Sequence, residues 1–554
     1  MKGNRYSLSG KRLDGLLPFI ESEMMVKVDI SKEAFLDRCD FSEASSQPID
    51  VDLLGKASSF VSISVAERIR HGTGHCQEDI YAIRSGEALR IPDAVAWPIN
   101  EDHLCEIVSL AKAHLWCVIP FGGGTNVSQA TRCPPIQVEP RPIISVDMTQ
   151  MNRILWVSEE NGLAHVEAGI TGRALVEEMN RRGFTIGHEP DSYEFSTLGG
   201  WIATKASGMK RNKYGNIEDI VRGVRVVGAN GVLAHGYKGA NGCGREAGSF
   251  DITSLIIGSE GCLGVIGSAV IRIWRLPKKK DFGSVLFPDF EHGIRFTKNV
   301  SELGRMIPAS CRLLDNEHFR LGHALRPESE SIIDTAKRAI TSFIASISFS
   351  LDPKKVVCAT ILYEGSSEEV NNQKKAIGRL SRMHGGVQVG ASIGRAGYEL
   401  TFMIAYLRDF AMSYHFLGES FETFVPWSGL LALITATKER ILKEHKARDL
   451  PGKPFVGCRV TQLYHEGVCL YFYFCMSFKN VASASAVFTE IEHAAREEIL
   501  EHGGLLSHHH GVGKVRSSFL QAINSPALQE AALLTKHAFD PENIFAARNG
   551  AYAS

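Results

Sequence analysis

Three consecutive glycines constrain this chain more than any other feature. They lie inside Pro120-Phe121-Gly122-Gly123-Gly124-Thr125-Asn126-Val127-Ser128 and follow Cys117-Val118-Ile119, a short apolar run that reads as a strand. Glycine costs backbone entropy on folding and packs no side chain, so such a run persists where the backbone takes positive φ or approaches something closely. Successive N–H groups in a glycine-rich turn form a concave site for an anion such as a pyrophosphate. Thr125, Asn126 and Ser128 add side-chain donors. The spacing alone leaves a plain tight loop as the other reading.

The chain is long enough, at 554 residues, for two or three domains around such a loop. A net charge of −1 supplies no field that would recruit nucleic acid or an anionic bilayer. The 12 cysteines are scattered, without a CxxC pair or zinc-knuckle spacing, which implies reduced thiols inside a cell. No apolar run reaches the length of a membrane span, and residues 468–476 read as a buried, aromatic-rich strand. The N-terminus has no basic region leading into an apolar secretory core.

The expected order begins with helices over residues 1–75, loosely attached at first, with 32–39 amphipathic. Residues 91–98 form a proline-bracketed extended piece, and 101–114 carry helical spacing at Leu104, Ile107, Val108, Leu110 and Ala111. Strands are expected at 143–147, 153–157 and 163–168, then a helix over 171–182 closed by Gly183. Residues 224–227 and 232–235 flank an Asn230-Gly231 turn and read as a hairpin. An alternating strand follows at 265–274, and Lys278-Lys279-Lys280 reads as a solvated linker at a domain boundary. Beyond it, strands at 283–287, 356–363, 458–464 and 468–476 are separated by long helices such as 428–446 and 482–502, as in an antiparallel sheet covered on one face. The organisation expected is an N-terminal helical region at 1–85, a ligand-binding domain at 86–278, a second domain at 279–505 and a C-terminal segment at 506–554, in an α+β fold.

Three further stretches combine small residues, hydroxyls and glycines beside strands. They are Gly187-His188-Glu189-Pro190-Asp191-Ser192-Tyr193-Glu194-Phe195-Ser196-Thr197-Leu198-Gly199-Gly200-Trp201, the stretch from Thr204-Lys205-Ala206-Ser207-Gly208 to Asp219, and Gly258-Ser259-Glu260-Gly261-Cys262-Leu263-Gly264-Val265-Ile266. Loops of this kind can converge on one extended, phosphate-bearing ligand, or serve as turns. No GxGxxG opens a helix after a strand, which excludes the usual nicotinamide fingerprint. Near the C-terminus stands Ser507-His508-His509-His510-Gly511-Val512-Gly513-Lys514-Val515-Arg516. Histidines near their ordinary pKa serve as acid/base groups at neutral pH. A metal site and a solvated loop are the alternatives, and no Cys or His stands at customary spacing to complete a structural zinc.

Taken together, the four loops resemble the vanillyl-alcohol-oxidase or PCMH-type FAD-binding domain. That resemblance implies FAD contacts from Pro120, Phe121, Gly122, Gly123, Gly124, Thr125 and Asn126, from Asp191 through Thr197, from Thr204, Lys205, Ala206 and Ser207, and from Glu260, Gly261, Cys262, Leu263, Gly264, Val265 and Ile266. Many such domains tether FAD through a histidine in or near the glycine loop. Asn126 stands in this loop and no histidine does, so non-covalent FAD is expected.

Five segments narrow the resemblance: Gly187-His188-Glu189-Pro190-Asp191-Ser192, Ala206-Ser207-Gly208-Met209-Lys210, Tyr214-Gly215-Asn216-Ile217-Glu218-Asp219, Leu417-Gly418-Glu419-Ser420-Phe421-Glu422-Thr423, and the histidine run. From about residue 70 to Asn549 the chain resembles the alkyldihydroxyacetonephosphate synthases. The resemblance implies that the fatty acid of acyl-dihydroxyacetone phosphate is exchanged for a long-chain fatty alcohol, through a flavin N5 adduct and without net oxidation. It implies an antiparallel-sheet cap domain for substrate, Tyr471 as acid/base, His508, His509 and His510 in proton transfer and phosphate contact, Arg408 in substrate binding, and Arg312 near the flavin. Lys514 and Arg516 offer further charge to a phosphate, or a solvated surface. Peroxisome or glycosome, peripheral membrane attachment (through residues 341–351) and a homodimer follow from family habit. Arg12-Leu13 followed by Phe19-Ile20 departs from the family's N-terminal address, the C-terminus carries no Ser-Lys-Leu type signal, and Ala546-Ala547 replace a glycine and a polar residue. The alternative within the same fold is an FAD-dependent 2-hydroxyacid dehydrogenase.

Overall fold

The computed structural model describes residues 10–35, 47–87, 89–234, 243–244, 247–248, 250–326, 352–402 and 404–553, with backbone alone at 404–406. The chain divides into two compact units, each assembled from separated stretches. One comprises Asp37–Gly208, Tyr214–Leu276 and His509–Ser554; the other comprises Met1–Leu36, Met209–Lys213 and Pro277–His508.

In the first unit, β1 (Phe60–Ser62), β2 (Ala94–Trp97), β3 (Cys117–Phe121) and β4 (Ile143–Asp147) form a sheet in the order β1-β2-β4-β3. β2 and β3 run parallel to β4, and β1 is antiparallel to β2. β2 and β4 are buried along their whole length, as expected for unbroken apolar runs in a parallel sheet. The helix Glu101–His114 is started by Asn100, whose side chain accepts from the His103 N–H. It buries Leu104, Ile107, Val108 and Ala111, the positions its spacing picked out.

The remaining strands of this unit, in a five-stranded sheet and a separate pair, are β5 (Ile154–Ser158), β6 (Leu163–Glu167), β7 (Phe184–Thr185), β8 (Val221–Gly228), β9 (Gly231–Ala234), β10 (Val265–Arg272) and β11 (Trp274–Arg275). β5-β6-β10-β8-β9 are hydrogen-bonded in that order, and β7 pairs with β11 separately. β8 and β9 form the expected hairpin around Ala229-Asn230, with Gly231 at φ +120°. The expected strand end at His235 lies outside the described residues. Gly183 follows the helix Gly172–Arg181 at φ +79°, a conformation cheap only for glycine. Alternation in β10 predicts one wet face, yet residues 265–271 are all buried. Small residues there meet the helix Glu101–His114: a Cβ at Gly267 would lie 3.9 Å from Leu104.

The second unit is a seven-stranded sheet of β12 (Lys279–Phe287), β13 (Ser310–Leu314), β14 (Val357–Gly365), β15 (Val387–Gln388), β16 (Phe416–Pro426), β17 (Phe455–Leu463) and β18 (Gly467–Ser477). Its order is β15-β12-β14-β13-β17-β18-β16, and every pairing is antiparallel. The linker expected at Lys278–Lys280 is corrected. Lys279 and Lys280 open β12, opposite Gly365 and Glu364. Glu364 is buried and takes Lys210 Nζ at 2.8 Å, with Lys280 Nζ 3.9 Å away. The N-terminal residues are also held more firmly than expected. Met24 is buried, its carbonyl accepts the Lys453 N–H at 2.8 Å, and Phe19 meets Phe455 edge-on. Residues 32–35 are not helical; 36–39 and the segment 341–351 lie outside the described residues.

Candidate functional site

The four loop stretches converge within the first unit. Pro120 and Phe121 end β3, so the loop proper starts at Gly122. A Cβ at Gly122 would stand 2.3 Å from Thr197 Oγ1, and one at Gly123 would stand 2.1 Å from the Phe195 carbonyl oxygen. Thr197 caps the helix Leu198–Thr204, which ends at Lys205 in the left-handed region. The Glu260 N–H donates to Ala203 O at 2.9 Å, and Gly261 approaches Pro120 so closely that a Cβ would lie 3.2 Å from its ring. Gly123 is thus explained by a close backbone approach, Gly122 by the Thr197 hydroxyl, and Gly124 by a φ of +64° and the Phe121 ring.

Phe121, Gly122, Gly123, Gly124 and Phe195 line a cavity of about 1100 Å³. This is the large end of the range for small-ligand sites and has room for a dinucleotide. Arg70, Thr73, Gly74, Asp147 and Thr149 line it too, and sequence reading missed them. His71 Nε2 lies 2.8 Å from Asp147 Oδ2, a contact between residues 76 positions apart that no local pattern reveals. A backbone cradle, hydroxyls and one guanidinium fit the pyrophosphate and sugars of FAD.

Other predicted contacts serve the loops themselves. Asn126 Oδ1 accepts the Ala130 N–H at 2.8 Å, and its amide donates to Thr131 at 2.9 Å. Ser207 Oγ donates to Asn216 at 2.7 Å, while Cys262, Leu263 and Val265 are buried in the core. His188 is buried against Trp201, and burial pushes its imidazole down to about 3, so it stays neutral.

The C-terminal stretch of this unit closes on Glu260. The Gly513 N–H donates to both Glu260 oxygens, at 2.9 and 3.0 Å. Gly511 (φ +84°) and Gly513 (φ +52°) leave no room for a side chain, since Cβ atoms there would lie 2.2 Å from Glu260 Oε1 and 2.0 Å from Ser128 O. Lys514 Nζ donates to Asn549 Oδ1 at 2.8 Å, and Asn549 Nδ2 donates to Ala130 O and Glu260 O. Arg516 is buried and Lys514 half-buried, which corrects the solvated-surface reading. Ala546 and Ala547 pack in a core cluster with Cys117, Ile119 and Cys262, where a polar residue would be stranded.

Burial pushes the Glu260 carboxyl up from 4.5 to about 7, against the Gly513 N–H and the charges of Lys514 and Arg516, which pull it down. Between those values the folded chain keeps a proton that the unfolded chain releases, so this group's contribution to stability is lost as pH rises from 4.5 to about 7. The loss is on the order of 3 kcal/mol. Glu260→Gln, which does not titrate, is therefore expected to look better relative to wild type at pH 7.5 than at pH 5 in thermal melts. A gap in Tm that is the same at both pH values would refute this.

In the second unit, Tyr471 is buried on β18, opposite Glu422 of β16 and Arg459 of β17. The Arg459 guanidinium lies 4.9 Å from the Tyr471 ring and 5.0 Å from the Tyr473 ring. Glu422, fully buried, accepts Ser507 Oγ at 2.8 Å and the His508 N–H. His508 Nε2 lies 2.6 Å from the hydroxyl of Tyr464, a residue the sequence did not single out. Arg408 is ion-paired with Glu419 at 2.7 Å, and Arg312 is buried, bound to Gly397 O at 3.2 Å and packed on Tyr398. His509 and His510 belong to the first unit, with ring centres 4.8 Å apart.

Residues 92–236 match the model of an FAD binding domain, and residues 276–549 match that of the C-terminal domain of FAD linked oxidases. The chain is 39% identical over 548 residues to an alkyldihydroxyacetonephosphate synthase of Caenorhabditis elegans, covering 99% of this chain and 91% of that one. It is 33% identical to an alkyldihydroxyacetonephosphate synthase of Trypanosoma brucei brucei, covering 87% and 77%. A solved alkyldihydroxyacetonephosphate synthase superposes with a TM-score of 0.80 at 26% identity, covering 96% of this chain and 92% of that one. With the glycine cradle, the antiparallel sheet and this likeness along its length, the chain belongs to the alkyldihydroxyacetonephosphate synthase family, whose cofactor is FAD.

Proposed function

We propose that this protein exchanges the acyl group of 1-acyl-dihydroxyacetone phosphate for a long-chain fatty alcohol, releasing a fatty acid and forming the ether bond of an ether lipid. The likeness to two alkyldihydroxyacetonephosphate synthases along most of the chain carries the reading. The chemistry is demanding because an ester cannot become an ether by acyl attack; the C1–O bond must break. The ketone at C2 makes the C1 proton labile, so a positioned acid/base assists, and division into two half-reactions replaces one hard step with two easier ones. FAD, when bound, supplies a redox-active ring able to retain the three-carbon unit without net oxidation.

Tyr471 moves the C1 proton in this reading. His508, His509 and His510 supply proton transfer and phosphate contact, and Arg408 binds substrate through a guanidinium suited to bidentate bonding. Arg312 positions the ring region of the cofactor. The FAD is non-covalent, since residues 120–128 carry no histidine. A peroxisomal or glycosomal enzyme that docks peripherally on a bilayer and forms a homodimer completes the proposal. Among the described residues, no helix is long and apolar enough to cross a membrane.

Flavin-loaded protein incubated with acyl-dihydroxyacetone phosphate and labelled hexadecanol is expected to place label in an ether lipid. Bound flavin with no labelled ether product would overturn the proposal. Reduction of an electron acceptor by a 2-hydroxyacid in its place would assign the chain to the dehydrogenases of the same fold.

A further inference from the structure

His508 is fixed from two sides within the second unit. Its backbone N–H is held by the buried carboxylate of Glu422, which also accepts Ser507 Oγ. Its ring meets the Tyr464 hydroxyl at Nε2, 2.6 Å away, with the two rings edge to face. Tyr464 stands in the turn between β17 and β18. Its own N–H donates to Gly467 O at 2.9 Å, and Trp427 Nε1 donates to the carbonyls of Tyr464 and His465. The Arg211 guanidinium lies over the Tyr464 ring, 3.7 Å from its centre, and donates to Leu463 O.

A cation against the ring face draws electron density from the phenol, which makes its hydroxyl a better donor and a poorer acceptor. The short contact is therefore Tyr464 O–H donating to Nε2. The hydrogen bond at one imidazole nitrogen decides which nitrogen carries the proton. We infer that Tyr464, backed by Arg211, is a positioning residue that keeps the neutral form of His508 in the tautomer with its proton on Nδ1, so that His508 acts as a hydrogen-bond donor in the exchange rather than as its base. This rests on the reading of His508 as part of the reacting site. Among the described residues, Cys469 on β18 has its sulfur within 4.8 Å of a His508 nitrogen, and Glu422 on β16 holds the His508 N–H. Arg211 stands behind Tyr464, and His509 is next in the chain.

Tyr464→Phe keeps the ring that Arg211 and Phe424 pack against and removes only the hydroxyl. With Nε2 released, the Nδ1–H form is no longer enforced. The exchange rate at saturating substrate is expected to fall about 10-fold at pH 8. The loss is expected to shrink to within about 2-fold at pH 6, where an imidazolium carries N–H on both nitrogens. Flavin content is expected to match wild type. His508→Asn, whose amide can stand where Nδ1–H stands, is expected to exceed His508→Gln in rate, and adding Tyr464→Phe to His508→Asn is expected to cost nothing further. A Tyr464→Phe defect that is constant with pH, or His508→Gln outperforming His508→Asn, would overturn the inference. Full activity in His508→Ala would instead remove His508 from the reacting site.

Discussion

Gly123→Ala is expected to yield a protein that no longer retains FAD. The added methyl would lie 2.1 Å from the Phe195 carbonyl oxygen, 2.7 Å from its carbon and 3.0 Å from Ser196 Cα. All three are backbone atoms, so no rotamer change relieves the clash. One of the two loops must move, and Ser196 and Thr197 are committed to the start of the helix Leu198–Thr204. Overpacking of this kind costs about 1–3 kcal/mol, and displacing the cradle by that much weakens flavin binding by about 100-fold. Absorbance at 450 nm after gel filtration measures it. Gly258→Ala is the control, because a Cβ there is 3.7 Å from the nearest side chain, although its φ of +88° adds strain. A yellow, fully loaded Gly123→Ala protein would show that the loops do not form the cofactor cradle.

The second large effect is expected at Tyr471. Its hydroxyl is the only group lost in Tyr471→Phe, while the stack with Tyr473 at 6.3 Å and the Arg459 guanidinium remain. The protein should fold and load flavin normally. A lost acid/base group typically costs 10²–10⁴ in rate, so ether formation is expected to fall about 10³-fold. Tyr473→Phe, two residues along the same strand face, is expected to change the rate less than about 10-fold. Both rates can be read from labelled ether product against flavin concentration. Tyr471→Phe activity within a few-fold of wild type would assign the proton transfer to another side chain.

Periodicity and turn chemistry made much of the fold legible. The helix Glu101–His114, the Asn-Gly hairpin and four of the seven antiparallel strands beyond residue 278 (β12, β14, β17 and β18) could be read from spacing, whereas β13, β15 and β16 were not. The glycine run marked a place of close approach, which Gly123 makes to the Phe195 backbone, though the run alone left a plain tight loop open. What escaped was set by partners remote in the chain. Lys279 and Lys280 read as a linker because the opposing Glu364 is more than eighty residues away. Tyr464 looked like one more strand aromatic until the fold set His508 beside its hydroxyl. Glu260 was legible as a loop residue, but its grip on Gly513 spans some 250 positions.

The first unit also has a history in time. Val118, in the parallel edge strand β3, donates to the Ile544 carbonyl at 2.8 Å, and Ile544 and Phe545 share a core with Leu104, Val118 and Ile144. Lys536 joins Asp540 to the carbonyls of Cys262 and Phe545. During synthesis, therefore, the glycine loop emerges early and waits for its C-terminal partner while more than four hundred further residues are made. Translation at about 5–20 residues per second makes that wait tens of seconds. The strand that leads into the cradle therefore gains its Ile544 partner only after residue 540 is made, and a ribosome that stalls before it leaves that edge uncovered.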